Sequence, residues 1–136
     1  MVKTIQAILA IIYSDNEFLI LKKKGTWTGW QFVQGGKEKG EDWETAVKRE
    51  VKEETGLTDV KVIKKLDLKH DYWFQLKGEK IHKFLTFFLV KAKKEKIKLS
   101  IEHSDYKWCK YREALKDLKY NKEHFEQAYK ELKWPS

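Results

Sequence analysis

Three glutamates, Glu50, Glu53 and Glu54, stand in the run Arg49-Glu50-Val51-Lys52-Glu53-Glu54-Thr55-Gly56-Leu57. Residues three and four apart on a helix are neighbours, and like charges placed there repel. A chain that groups three acids in this way needs something to offset them. A divalent cation is the commonest answer, because hard cations take carboxylate and carbonyl oxygens. Upstream lie Gly35 and Gly36; five residues separate Gly35 from Glu41, and seven separate Glu41 from Arg49. Glycines bring backbone close to a ligand because no Cβ intervenes.

The competing reading is a solvated helix decorated with charge, which is what most charge runs are. The ~100° turn per residue of an α-helix separates the two. Seen from Glu50, the near side carries Trp43, Ala46, Val47, Glu53, Glu54 and Leu57, and the far side Glu44, Thr45, Lys48, Lys52 and Thr55. The acids therefore fall on or beside the apolar stripe that packs against a core. Desolvation there raises carboxyl pKa values unless a cation or donor compensates.

The elements that must hold these residues read as follows. A helix is expected from about Asp42 to Thr55, with Glu41 or Asp42 capping its first amides and Gly56 just past its end. Arg49 and Glu53 are four apart and can pair; a contact between Arg49 and Glu41 requires the loop to fold back. Lys3 to Tyr13 is apolar and β-branched and reads as a central strand. Ser14-Asp15-Asn16 turns into a returning strand, Glu17 to Lys22, and Lys22 to Gly29 is a loop. Trp30 to Gln34 is short and extended. Strands are expected at Asp59–Leu66, Lys69–Leu76, Ile81–Ala92 and Asp105–Lys110, and helices at Arg112–Leu118 and Lys122–Leu132. The pattern predicts an α/β fold, a mixed sheet between helices, in one domain over residues 1–136.

The segment GGKEKGEDWETAVKREVKEETGL resembles the Nudix box, the signature of hydrolases that cut a nucleoside diphosphate linked to another group. Its fixed glycine, first glutamate, REUXEE core and closing glycine-aliphatic pair are all filled. The resemblance implies an α/β/α sandwich with a catalytic glycine loop and helix. It implies that Glu50, Glu53 and Glu54, with the Gly35 carbonyl, hold Mg²⁺, with Mn²⁺ as a substitute. Arg49 would orient the glutamates, and the general base would be Glu53 or Glu102. Within the family the chain is most similar to the branch that splits dinucleoside polyphosphates, diadenosine tetraphosphate to ATP and AMP. WQFVQGG resembles that branch's WQFPQGG, with Val33 in place of proline. Tyr72 follows Gly56 by sixteen residues, near that branch's tyrosine. SIEHSDYKWCKYREAL resembles its late segment. By this likeness Tyr72 would stack on an adenine, against the alternative of core packing, and Lys83 would meet a phosphate, against a plain solvated lysine. Three other readings stay open: an RNA 5′-end pyrophosphohydrolase, a nucleoside triphosphate pyrophosphatase, and a non-catalytic nucleotide sensor.

Composition bounds the setting. A hydrophobic fraction of 41% with 14% aromatic residues suits a packed globule. No apolar run approaches bilayer length, and the N-terminal stretch reads as a buried strand, not a signal peptide. The single Cys109 excludes an intrachain disulfide and fits a reducing, cytoplasmic interior as a structural residue. The net charge is +8, and 27 of 29 basic residues are lysine. That balance suits polyanionic partners or lysine-rich thermophile composition; sparse arginine argues against a dedicated RNA reader. None of the four histidines has zinc spacing, so none is assigned as a metal ligand. The six tryptophans read as core. Monomer and homodimer both remain open.

Overall fold

The computed structural model describes residues 2–25 and 28–132. Its centre is β1 (Val2–Ser14), which turns at Asp15, in a left-handed conformation, into β2 (Glu17–Lys23). Then come β3 (Gly29–Gln31), β4 (Val33–Gly36), α1 (Trp43–Thr55), β5 (Val60–Leu76), β6 (Glu79–Ala92), β7 (His103–Cys109), α2 (Tyr111–Asp117) and α3 (Lys122–Glu131). Thr26 and Trp27, part of the expected Lys22–Gly29 loop, lie outside the described residues, as does Trp134.

The sheet is mixed. β1 runs parallel to β6 and antiparallel to β2 and β4, and β2 also carries β3 and β7. Both faces are covered, which explains why β1 is a continuous apolar run and not an alternating one. Ala7, Leu9 and Ile11 enter one core with Phe125 and Ala128 of α3. Ile8, Ala10 and Ile12 enter a second core with Ala46, Val47 and Val51 of α1. The result is the expected helix–sheet–helix sandwich. Cys109 is buried in the α3-side core, and burial pushes its thiol up to about 11. Among the described residues no helix is long and apolar enough to cross a membrane.

Three expectations need correction. The two strands expected at 59–66 and 69–76 are one strand, β5, whose ladder with β6 shifts register between Val62 and Lys64 and between Lys65 and Lys69. An antiparallel pair absorbs extra residues as bulges without ending, and the unbroken β6 supplies the continuous partner. Thr55, placed on the solvated side of α1, is fully buried. Its hydroxyl donates to the Val51 carbonyl at 2.6 Å and its carbonyl accepts from the Lys98 amide at 2.8 Å, so the last turn is enclosed by the segment after β6. Finally, Trp30, Trp43 and Trp108 pack partly buried against the two cores as expected, but Trp73 is 49% exposed and stacks on His82 at 4.0 Å.

Candidate active site

The N-terminus of α1 forms as its sequence requires. Asp42 caps it, accepting from the Thr45 amide at 2.7 Å, and Gly56 ends it in a left-handed conformation. The loop before it does fold back. Arg49 donates from Nε to Glu41 Oε2 at 2.7 Å and from Nη2 to Glu41 Oε1 at 3.0 Å. The same guanidinium donates to Glu50 Oε1 at 2.8 Å, Glu53 Oε1 at 3.1 Å and the Gly36 carbonyl at 2.7 Å. One side chain thus ties the glycine loop to three acids. Arg49 holds Glu41 down to about 2, helped by the Glu38 amide.

The three glutamates are not equivalent. Glu50 and Glu54 are each 7% exposed, whereas the Glu53 side chain is 55% exposed. Of the three acids expected on or beside the apolar stripe, Glu50 and Glu54 lie on its buried part and Glu53 beside it. Glu53 lies 300° around the helix from Glu50 and falls at the edge of the stripe, where its long side chain turns to water. Burial raises the Glu50 carboxyl above its usual value, against the hydrogen bond from Arg49, and Glu53 and Glu54 add to the rise. Burial also pushes Glu54 up, but donors from His103 and Ser100 outweigh it and hold Glu54 low.

Gly35 and Glu50 are in close approach. A Cβ on Gly35 would stand 2.0 Å from the Glu50 carboxyl carbon. Pairing with Ile8 of β1 holds this glycine in the sheet, so the approach is fixed by the ladder. Glu102, just before β7, joins the acids from the other side: oxygens of Glu54 and Glu102 and a ring nitrogen of His103 lie within 4.8 Å of one another. A buried pair of carboxylates, a glycine with no room for a side chain and a third acid from a distant loop fit a divalent cation with oxygen ligands.

A cavity of about 680 Å³ has walls that include Tyr72, Tyr120, Lys23, Lys83, Lys119, Gln31 and Gln34, the residue before Gly35. Tyr72 is half-buried; burial raises its phenol, and Tyr120 nearby raises it further. Lys83 Nζ lies 5.9 Å from the centre of the Tyr72 ring. Burial lowers the Lys83 ammonium and Lys23 lowers it again, while Glu50 opposes both. The structure thus brings Tyr72 and Lys83 into one cavity, within electrostatic reach of Glu50. Tyr120, Gln31, Ser100 and His103 were not singled out from the sequence. The late segment SIEHSDYKWCKYREAL drew attention to Glu102, but nothing in spacing shows which wall faces another.

The chain matches the NUDIX domain family over residues 3–130. It belongs to the Nudix family. Among relatives of this Nudix chain is an RNA pyrophosphohydrolase from Nitratiruptor sp., 35% identical over 122 residues, covering 79% of each. Another is a bis(5′-nucleosyl)-tetraphosphatase (asymmetrical) from Caenorhabditis elegans, 31% identical, covering 76% of this chain and 75% of that one. A crystal structure of a C. elegans Ap4A hydrolase binary complex superposes with a TM-score of 0.71 at 26% identity, over 92% of this chain and 96% of that chain. As a Nudix protein the chain is a pyrophosphohydrolase with the fold expected from its sequence, and Nudix enzymes use divalent cations.

Two histidines near the cavity carry a testable pH dependence. The His70 and His124 rings lie 4.8 Å apart, and Glu123 Oε1 is 3.6 Å from His124 Nδ1. Burial lowers the His124 pKa below its ordinary 6.5 and His70 lowers it further, with Glu123 and the Lys69 backbone opposing. Protonation therefore favours the unfolded chain. The stability contributed is present above the ordinary value and is lost as pH falls through the folded one. The urea midpoint is expected to drop between about pH 7 and pH 5, and His124→Gln to flatten that drop. Equal slopes for the two proteins would show that His124 is not responsible.

Proposed function

We propose that this Nudix enzyme hydrolyses dinucleoside polyphosphates, converting diadenosine tetraphosphate to ATP and AMP. The observation that carries this reading is the aromatic, lysine-edged cavity, whose wall residue Lys83 lies within electrostatic reach of Glu50. Tyr72 and Tyr120 offer aromatic faces for a nucleobase, and base stacking contributes about 1–3 kcal/mol. Lys83, Lys23 and Lys119 offer positive charge for a polyphosphate leading from that base.

In this reading Glu50, Glu53 and Glu54 hold Mg²⁺, or Mn²⁺, with the Gly35 carbonyl. The ion would supply positive charge against the charge that develops on the phosphates in the transition state. Arg49 touches no substrate; it sets the carboxylates and ties them to the loop at Gly36. Water attacks one phosphorus in line and a nucleotide leaves. Both Glu53 oxygens are within 3.4 Å of Arg49 Nη1, so this carboxylate is engaged in an ion pair. Glu102 stands exposed at the edge of the same cluster. That contrast favours Glu102 as the base that takes the proton from water and Glu53 as a ligand.

A second reading, hydrolysis at a triphosphorylated RNA 5′ end, is favoured by the likeness to the Nitratiruptor RNA pyrophosphohydrolase and by the lysine-rich surface. Incubation with Mg²⁺ and either substrate in ¹⁸O-labelled water separates the two. Turnover of diadenosine tetraphosphate, with label in a single product, supports the first; turnover of RNA alone defeats it. Tyr72→Ala is expected to raise the KM for diadenosine tetraphosphate about tenfold with kcat nearly unchanged, which is the scale of one lost stack. An unchanged KM would remove Tyr72 from the nucleobase site.

A further inference from the structure

Behind Glu54 lies a chain of hydrogen bonds that the reaction as described does not use. His103, the first residue of β7, is only 6% exposed. Its Nδ1 is 3.1 Å from Glu54 Oε2. Ser100 Oγ donates to the same oxygen at 2.6 Å and lies 3.4 Å from His103 Nδ1. The far ring nitrogen, Nε2, is 3.4 Å from Gln31 Nε2. A carboxylate oxygen can only accept, so the hydrogen between the two groups sits on His103 Nδ1. The Nδ1–H of His103 is therefore aimed at Glu54. Gln31 in turn forms part of the cavity wall.

We infer that His103 is a positioning residue for Glu54: it fixes this carboxylate in the orientation that receives the divalent cation. Two donors converge on the single oxygen Oε2 and so set the plane of the carboxylate. A ring nitrogen that donates a proton to Glu54 is not at the same time a metal ligand, so His103 acts through Glu54. The chain from Gln31 to His103 to Glu54 also gives the cavity wall a direct mechanical connection to the cation site. Groups that orient metal-ligating side chains typically change metal affinity or activity by about 10–100-fold when removed. The inference rests on the proposed role of Glu54 as a cation ligand.

Mn²⁺ titration followed by electron paramagnetic resonance tests it, on wild type, Glu54→Gln, His103→Ala and His103→Asn. His103→Ala is expected to weaken Mn²⁺ binding about 10–100-fold and to lower kcat with little change in nucleotide KM. His103→Asn, whose amide N–H can replace Nδ1–H, is expected to recover most of both. Bound Mn²⁺ in the wild type is expected to show no spin-echo coupling to a directly ligated ¹⁴N. Wild-type affinity in His103→Ala, an asparagine variant as weak as the alanine variant, or a ligated nitrogen signal would each overturn the assignment. If the alanine variant fails to fold, as read by circular dichroism, the asparagine variant decides: retained affinity supports the assignment, and a tenfold loss or more overturns it. Should Glu54→Gln bind Mn²⁺ as well as wild type, the proposed cation site itself fails, and the role of His103 falls with it. Should Glu54→Gln lose binding while His103→Ala keeps it, only the inference fails.

Discussion

Glu54→Gln is expected to lower turnover of diadenosine tetraphosphate by about 10³-fold, the scale seen when one electrostatic stabiliser of a transition state is removed. Glutamine keeps the shape of the side chain and one carbonyl acceptor, so Ser100 and His103 retain a partner and the fold is spared. What disappears is one negative charge at the point where α1, the Ser100 segment and His103 converge. Glu53→Gln is expected to be equally inactive and even less disruptive, because its side chain is largely exposed and its contacts are to Arg49. Glu44→Gln is the control, since Glu44 is exposed and pairs only loosely with Lys48 at 3.2 Å on the solvent side of the same helix. Nucleotide binding, measured by isothermal titration without metal, is expected to survive in all three. Full turnover in both box variants would remove the metal assignment. Loss of binding together with turnover would instead mark these acids as structural.

The helix that carries these acids was legible in the sequence because its signals are local. A cap residue, a 3.6-residue apolar stripe and a terminal glycine all act within a few turns, and each appears where expected in α1. The central β1 was legible for a related reason: a run buried on both faces needs no alternation, and its length excludes little else. The exposure of Glu53 was not legible. A helical wheel gives a direction from the axis, but the side chain can lean away from the core, and Arg49 draws it outward. The long β5 was misread for a different reason. Its bulges depend on the register imposed by β6, a partner that follows it in sequence. His103, Gln31 and Tyr120 were missed because their roles exist only after β3, β7 and the segment between α2 and α3 meet. Lys119 illustrates this: its amide donates to the Trp30 carbonyl at 2.9 Å, which fixes that segment against β3 and forms the cavity wall. No spacing in the chain encodes that contact.

A second large effect is expected where the fold itself is least at risk. Gly35→Ala would place a methyl carbon 2.0 Å from both Cδ and Oε2 of Glu50 and 2.5 Å from Oε1. All three nearest atoms belong to one carboxyl group at the end of a flexible side chain, so that group swings aside and the backbone stays. The Arg49–Glu50 contact of 2.8 Å is lost, and the carboxylate leaves the place it holds beside the glycine loop. Little stability goes with it, because burial already penalises the Glu50 anion. The thermal midpoint is expected to move by no more than about 5 °C, equivalent to about 1 kcal/mol in a domain of this size. Turnover is expected to fall at least about 10²-fold and divalent-cation affinity about 10–100-fold, since one ligand has been displaced without being deleted. Gly36→Ala is the matched comparison: its added carbon meets no atom within 4 Å, and the carbonyl that Arg49 uses stays in place. If Gly35→Ala unfolds the protein, the close approach serves packing. If it stays folded and active, Glu50 reaches its working position by another path.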